Sequence, residues 1–184
     1  DGVLIKDNGF IHKIEDIELY PQVIEALQSV DKKTKLIIIT NQAGIAKGIF
    51  KEEEYKKVRN YIHALFEKQG IKITAEYFCP HHPEGTVAPY NVNCSCRKPA
   101  SGLFQRAIKE HQLDPSKCWT IGDMRRDILA GQHVGIKGIL VKTGFGGKGG
   151  SGDEITPNYI AEDLYDAIKF IQEQEKQEEK EMRR

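Results

Sequence analysis

Two pairs of soft ligands stand near the middle of this chain. Cys79 and His81 are spaced C-x-H, Cys94 and Cys96 are spaced C-x-C, and twelve residues separate the pairs. Three thiols and an imidazole make a Cys₃His set, which suits tetrahedral Zn²⁺. The spacing is not that of a zinc finger, so the expectation is a zinc-pinned loop inside a larger domain. The rival reading, three reduced structural cysteines beside an incidental histidine, is the weaker one. Arg97 and Lys98 follow the last thiol directly. A loop tied down by metal would therefore hold two cations at a fixed position, ready for an anion.

Two other stretches carry groups that belong with such cations. The apolar run Leu36-Ile37-Ile38-Ile39 reads as a strand buried on both faces and ends in Thr40-Asn41-Gln42-Ala43-Gly44. The run Cys118-Trp119-Thr120-Ile121 reads as another strand, ending in Gly122-Asp123 with Asp127 four residues on. Hydroxyl, amide and cationic groups suit a phosphoryl group. Carboxylates beside them would repel it unless they bind a divalent cation, and Mg²⁺ held by carboxylates and phosphate oxygens is the usual solution. Each motif alone is weak: Thr-Asn-Gln reads equally as a turn, and Gly-Asp-x-x-x-Asp as an acidic helix start. Together, in this order, they point to Mg²⁺-assisted phosphoryl transfer.

The elements that must position these groups alternate. Pro21 opens a helix with Val23, Ile24, Leu27 and Val30 at helical spacing, after an irregular polar stretch, Ile5 to Glu18, marked by the Asn8-Gly9 turn signal. Lys51 to Gln69 reads as a second helix closed by Gly70, with His63 as a surface residue rather than a ligand. Ile71 to Phe78 is a strand delivering the chain into the cysteine loop. Ser101 is placed to cap a helix over Gly102–His111. A helix through Ile128, a strand over Gly138–Val141, a short strand at Tyr159-Ile160 and a final helix from Leu164 follow. Gly144 to Gly152 holds six glycines in nine residues with no Gly-Lys-Ser/Thr behind it, and so reads as a mobile surface loop rather than a phosphate cradle. This is an α/β protein with a Rossmann-like, mainly parallel sheet and helices on both faces. In such sheets ligands bind at the carboxyl ends of the strands, where Thr40, Asp123 and the exit of the cysteine loop all fall.

At 184 residues the chain suits one domain, expected over 1–171, with a charged tail over 172–184. Its 27 basic residues balance 27 acidic ones, which argues against a general nucleic-acid or membrane-surface binder. The clustered cysteines fit a reducing compartment better than a disulfide framework, so the expected location is the cytoplasm and the expected state a monomer. The chain opens on Asp1 without an initiator Met, which fits a trimmed start or a lost leader.

Asp1-Gly2-Val3-Leu4, the strand ending in Thr40-Asn41-Gln42, Lys98 and Gly122-Asp123-x-x-x-Asp127 together resemble the haloacid-dehalogenase-like phosphohydrolases. Cys79-Pro80-His81-His82-Pro83 with Cys94-x-Cys96-Arg97-Lys98-Pro99 resembles their zinc-loop subgroup, which comprises heptose-bisphosphate and histidinol phosphatases. The long stretch between His81 and Cys94 is more similar to the former. The resemblance runs from Asp1 to about Thr143 and implies no large cap domain. It implies a sugar bisphosphate substrate that loses its C7 phosphate through an aspartyl-phosphate intermediate, with histidinol phosphate as the alternative substrate. By the resemblance, Asp1 is general acid/base and touches Mg²⁺ through its carbonyl. Asp123 is the Mg²⁺ ligand, with Asp127 orienting behind it. Thr40 holds the transferring phosphoryl and Lys98 neutralises it. Asp7, Asn8, Gly9 and Phe10, together with Asn41, Gln42 and Ala43, contact substrate, and Arg97 helps recognise the substrate's other phosphate. Cys79, His81, Cys94 and Cys96 hold a structural Zn²⁺. Met124 stands where the heptose enzymes can carry a substrate-contacting lysine. The family's nucleophilic aspartate would fall two residues before Asp1, with the first, central strand also upstream. A chain truly lacking that aspartate would be a zinc-containing phosphosugar binder instead.

Overall fold

The computed structural model describes residues 1–148 and 156–182. In chain order it contains α1 (Val23–Gln28), β1 (Leu36–Asn41), α2 (Ala43–Ala46), α3 (Glu52–Lys68), β2 (Ile73–Cys79), α4 (Gly102–His111), β3 (Trp119–Gly122), α5 (Arg125–Gln132), β4 (Lys137–Val141), β5 (Tyr159–Ala161) and α6 (Leu164–Met182). Every ladder between these strands is parallel, as expected for strands joined through helices. The ladders form two sheets, β1-β2 and β3-β4-β5, rather than one continuous sheet. Asp1–Leu4 lies alongside both, and Val3 packs against the apolar clusters of each.

Helices cover two faces. On one, Val23, Ala26 and Leu27 of α1, Phe66 of α3 and Leu164 and Ile168 of α6 form a buried cluster over Leu36, Ile73 and Ile121. On the other, Leu103 and Ala107 of α4 pack on Ile37, Ile39, Tyr77 and Cys79. Phe104 of α4 meets Ala130 of α5 beside Ile39. Alternate residues of β1 therefore point to opposite helical layers, as the period of two requires. Phe66 is fully buried at 0% exposure, and truncating it to alanine would cost about 3–5 kcal/mol.

Four details differ from the sequence expectations. Every residue of β1 is half-buried rather than buried, because the edge away from β2 has no strand partner among the described residues. The stretch from Ile5 to Glu18 is not simply polar and irregular. Ile5 pairs antiparallel with Leu19, and Ile5 and Ile11 bury against Val58. His63 is no free surface residue: its Nε2 meets Glu76 Oε2 on β2 at 2.8 Å, and Tyr55 Oη donates to the other oxygen of that carboxylate. Ser101 occupies the N-cap position of α4 without capping it, since its hydroxyl accepts from Gln105 Nε2 at 3.2 Å instead. The segment 149–155, which takes in four of the nine residues of the glycine-rich loop, lies outside the described residues.

Candidate active site and metal loop

The cysteine loop closes on itself. Cys79 ends β2 fully buried, and the chain returns through Cys94 and Cys96 so that the four candidate ligand atoms lie within 4.8 Å of one another. Cys96 Sγ is 3.1 Å from both Cys79 Sγ and Cys94 Sγ, and Cys79 Sγ is 3.5 Å from Cys94 Sγ. His81 turns Nδ1 inward, 3.2 Å from Cys96 Sγ and 3.7 Å from Cys79 Sγ. Four Zn bonds of about 2.3 Å or less to a tetrahedral set place the ligand atoms roughly 3.3–3.8 Å apart. The chemistry and spacing of this set therefore fit Zn²⁺, with Nδ1 as the imidazole ligand. Burial pushes the thiol of Cys79 well up, with the neighbouring Cys96 thiol adding to it, and burial also raises Cys96. Such thiols ionise readily only when a cation sits between them. The start of α4 braces the loop from behind: Gly102 N donates to Ser95 O at 2.9 Å, and a Cβ at Gly102 would fall 2.4 Å from that oxygen.

The loop then delivers Lys98 to the sheet. The side chain of Asn41, at the end of β1, grips the Lys98 backbone from both sides: Nδ2 donates to Lys98 O and Oδ1 accepts from Lys98 N, each at 3.1 Å. Lys98 Nζ donates to Ile39 O at 2.7 Å and pairs with Asp127 Oδ1 at 2.7 Å. The other oxygen of Asp127 accepts from Met124 N at 3.0 Å, so this carboxylate is taken up by the lysine and the α5 N-terminus. Burial alone would raise the Asp127 pKa. The ammonium of Lys98 outweighs it and holds the carboxyl below its usual value.

Asp123 shows the opposite balance. It is buried, and its pKa is raised by burial, with the charge of Asp127 adding to the effect against the amide of Phe145. Phe145 N donates to Asp123 Oδ2 at 2.9 Å, and no cationic side chain pairs with Asp123 among the described residues. Its surroundings are cleared of side chains. A Cβ on Gly2 or Gly144, both at positive φ, would lie 2.2 or 2.3 Å from Asp123 Oδ2. A buried carboxylate without a cation, approached by bare backbone, fits a divalent metal such as Mg²⁺. Thr143 Oγ1 donates to Gly2 O at 2.7 Å and fixes this approach.

Thr40 and Asp1 meet through Gln42, whose Nε2 donates to Thr40 Oγ1 at 3.1 Å and to Asp1 Oδ2 at 3.3 Å. Asp1, Thr40, Asn41, Gln42, Lys98 and Asp127 thus form one linked group, with Asp123 beside it through Gly2. Ala43 opens α2 next to Gln42. The Asp7–Phe10 turn makes none of these hydrogen bonds. Gly9 N donates to Asp7 Oδ1 at 3.0 Å, Asn8 is exposed, and Phe10 carries Lys47 Nζ 5.6 Å from its ring centroid. Arg97 lies on the loop side, bonded to His81 O at 3.4 Å. Sequence reasoning missed the fourth strand end. Thr143 to Gly147 folds back over Asp123, with Gly147 N donating to Asp123 O at 2.7 Å and Gly144 N to Tyr20 Oη at 2.9 Å. The position of Thr143-Gly144 directly after β4 was the available signal.

Comparison with known proteins agrees with this arrangement. A family profile described as HAD-hydrolase-like matches residues 95–167. The D-glycero-β-D-manno-heptose-1,7-bisphosphate 7-phosphatase of Haemophilus ducreyi is 40% identical over 147 residues, 78% of this chain and 80% of that protein. The enzyme of the same name from Pasteurella multocida is 37% identical over 174 residues, 93% of this chain and 92% of that one. Among solved structures, D,D-heptose 1,7-bisphosphate phosphatase from B. bronchiseptica, complexed with magnesium and phosphate, superimposes with a TM-score of 0.82 at 26% identity, covering 95% of each chain. No helix of the described residues is long and apolar enough to cross a membrane. With a relative this similar over most of both lengths, and with its strand-end groups gathered as above, the chain belongs to the haloacid-dehalogenase-like family of phosphatases.

Proposed function

We propose that the protein hydrolyses the C7 phosphate of a D-glycero-D-manno-heptose 1,7-bisphosphate. The observation that carries this reading is the 37% identity to a curated enzyme of that name over 93% of this chain and 92% of that one. The linked strand-end groups agree with it. Lys98, 2.7 Å from Asp127 Oδ1, sets its ammonium at the loop exit against the charge of the transferring phosphoryl. Thr40 Oγ1 donates to a phosphoryl oxygen. Asp1 gives a proton to the departing sugar oxygen and then takes one from the water that completes hydrolysis, with Gln42 orienting its carboxylate. The attacking carboxylate in this reading belongs to an aspartate two residues before Asp1. Asp123 and the carbonyl of Asp1 would hold Mg²⁺, which when bound offsets the charge of the phosphoryl oxygens. The Cys₃His set would hold Zn²⁺ with no open position for water, a structural role.

The test is substrate profiling of the full-length protein with Mg²⁺. Release of phosphate from heptose 1,7-bisphosphate far faster than from histidinol phosphate is expected. The reverse order would assign the protein to the other zinc-loop activity, and no hydrolysis of either would make it a binder.

A further inference from the structure

Asp123 is approached by backbone rather than by side chains, and the turn from Thr143 to Lys148 supplies much of that backbone. A Cβ on Gly144 would lie 2.3 Å from Asp123 Oδ2 and 2.7 Å from Gly2 Cα, so main chain packs here at contact distance. At φ +59° Gly144 takes the left-handed conformation that glycine adopts without strain. The next amide, Phe145 N, donates to Asp123 Oδ2 at 2.9 Å, and Gly147 N donates to Asp123 O at 2.7 Å. The orientation of this carboxylate therefore depends on where the turn stands.

Among the described residues, three side chains hydrogen-bond in ways that hold the turn. Thr143 belongs to the turn, and Asp123 is the group it covers. The third comes from far away in sequence: Tyr20 Oη accepts from Gly144 N at 2.9 Å across 124 residues. Tyr20 is itself fixed at both ends. Its side chain is half-buried against the apolar cluster of α1, α3 and α6, and its own N–H donates to Leu4 O at 3.1 Å. Leu4 lies on the same short stretch as Gly2. Tyr20 thus ties Asp1–Leu4 to the turn after β4, and these are the two segments that press bare backbone on Asp123. The amide it holds is one residue before the amide that binds Oδ2.

We propose that Tyr20 is a positioning residue for the metal-binding carboxylate. By fixing Gly144 it sets the Phe145 amide on Asp123 Oδ2, and so raises the affinity of the site for a divalent cation. Groups that orient a ligating carboxylate act on metal affinity without touching the ion. Tyr20 stands one hydrogen bond further back, so its loss should weaken binding less than the loss of a direct partner. This proposal rests on the reading of Asp123 as the Mg²⁺ ligand.

The test uses Tyr20→Phe, which removes one hydroxyl and keeps the ring in the cluster, in the full-length, zinc-loaded protein. Mn²⁺ serves as the probe, its free fraction read from the electron paramagnetic resonance signal and its displacement by Mg²⁺ titrated. Asp123→Asn identifies the signal that belongs to this site. Hydrogen exchange over Thr143–Lys148 reads the turn directly. Tyr20→Phe should weaken Mn²⁺ and Mg²⁺ binding about three- to tenfold and speed exchange in the turn. A role confined to packing or stability would lower the melting temperature and leave the cation affinity alone, which overturns the proposal even if exchange rises. Weakened affinity with exchange unchanged also overturns it, since the hydroxyl would then act on the ion and not through the turn. If wild type binds Mn²⁺ at Asp123 and Tyr20→Phe binds it equally, the metal reading stands and the proposal falls. If wild type binds no Mn²⁺ that Asp123→Asn removes, both fall together.

Discussion

The cysteine loop and the proposed phosphoryl site hold their groups by opposite means. The four soft ligands all come from one stretch, Cys79 to Cys96, and need little beyond their own loop and the brace at Gly102 to converge. The proposed phosphoryl site draws on Asp1, the end of β1, the loop exit, the start of α5 and the return after β4, and is knit by contacts spanning up to 141 residues. A local site fails by losing its metal. A distributed site fails when any one crossing contact is lost, and it inherits every fault of the loop that carries Lys98.

Breaking the shared element should have the largest effect. Lys98→Ala removes the cation from the phosphoryl site and leaves Asp127 buried without a partner. Turnover should fall by about 10²–10³-fold, with a stability loss of about 3–5 kcal/mol read from denaturant unfolding. Retained turnover would separate the loop exit from the chemistry. Cys96→Ser, or chelation of the loop metal, comes next. Lys98 would be misplaced and activity should drop by up to about a hundredfold, with hydrogen exchange rising first between Cys79 and Cys96. Exchange that stayed slow while activity fell would point instead to a metal in the chemistry. Gly102→Ala attacks the brace alone. Its Cβ meets Ser95 O, and a loss of about 1–3 kcal/mol with weaker zinc retention is expected. An unaltered zinc affinity would show that the loop holds its own shape.

The smallest effect concerns the two carboxylates, whose signs differ. The Asp127 pKa is depressed in the fold, so it contributes stability above the ordinary carboxylate value of 3.8 that is lost as pH falls through its lower folded value. The Asp123 pKa is raised, so its ionised form costs stability above 3.8 and that cost is relieved as pH falls through its higher folded value. Metal-free Asp123→Asn should therefore melt slightly higher than wild type at pH 7 and equally near pH 3. A lower melting temperature at pH 7 would mean that Asp123 already has a cation partner.

This contrast also explains what was legible beforehand. The Cys₃His set declared itself because its signal is spacing within a short window. Helix limits such as Glu52–Lys68 and Gly102–His111 fell within a residue of expectation, because apolar periodicity and the closing Gly70 are local too. The strand-end groups could be nominated from residue type, but their links could not. That Asp127 faces Lys98, that Gly144 and Phe145 close over Asp123, or that His63 meets Glu76 depends on how distant segments pack. The separation into two sheets and the half-burial of β1 are likewise facts of pairing, which an apolar run does not encode.

One contact has a consequence for how the chain tolerates change. Asn41 binds the N–H and the C=O of Lys98 across 57 residues of sequence. A carboxamide that pairs this way behaves as a borrowed peptide unit, so the lysine is registered to β1 by its backbone and not by the path between. Insertions and deletions anywhere in that excursion, the long segment between His81 and Cys94 included, can then accumulate without shifting the ammonium, and loop length becomes free to drift while the chemistry stays in register.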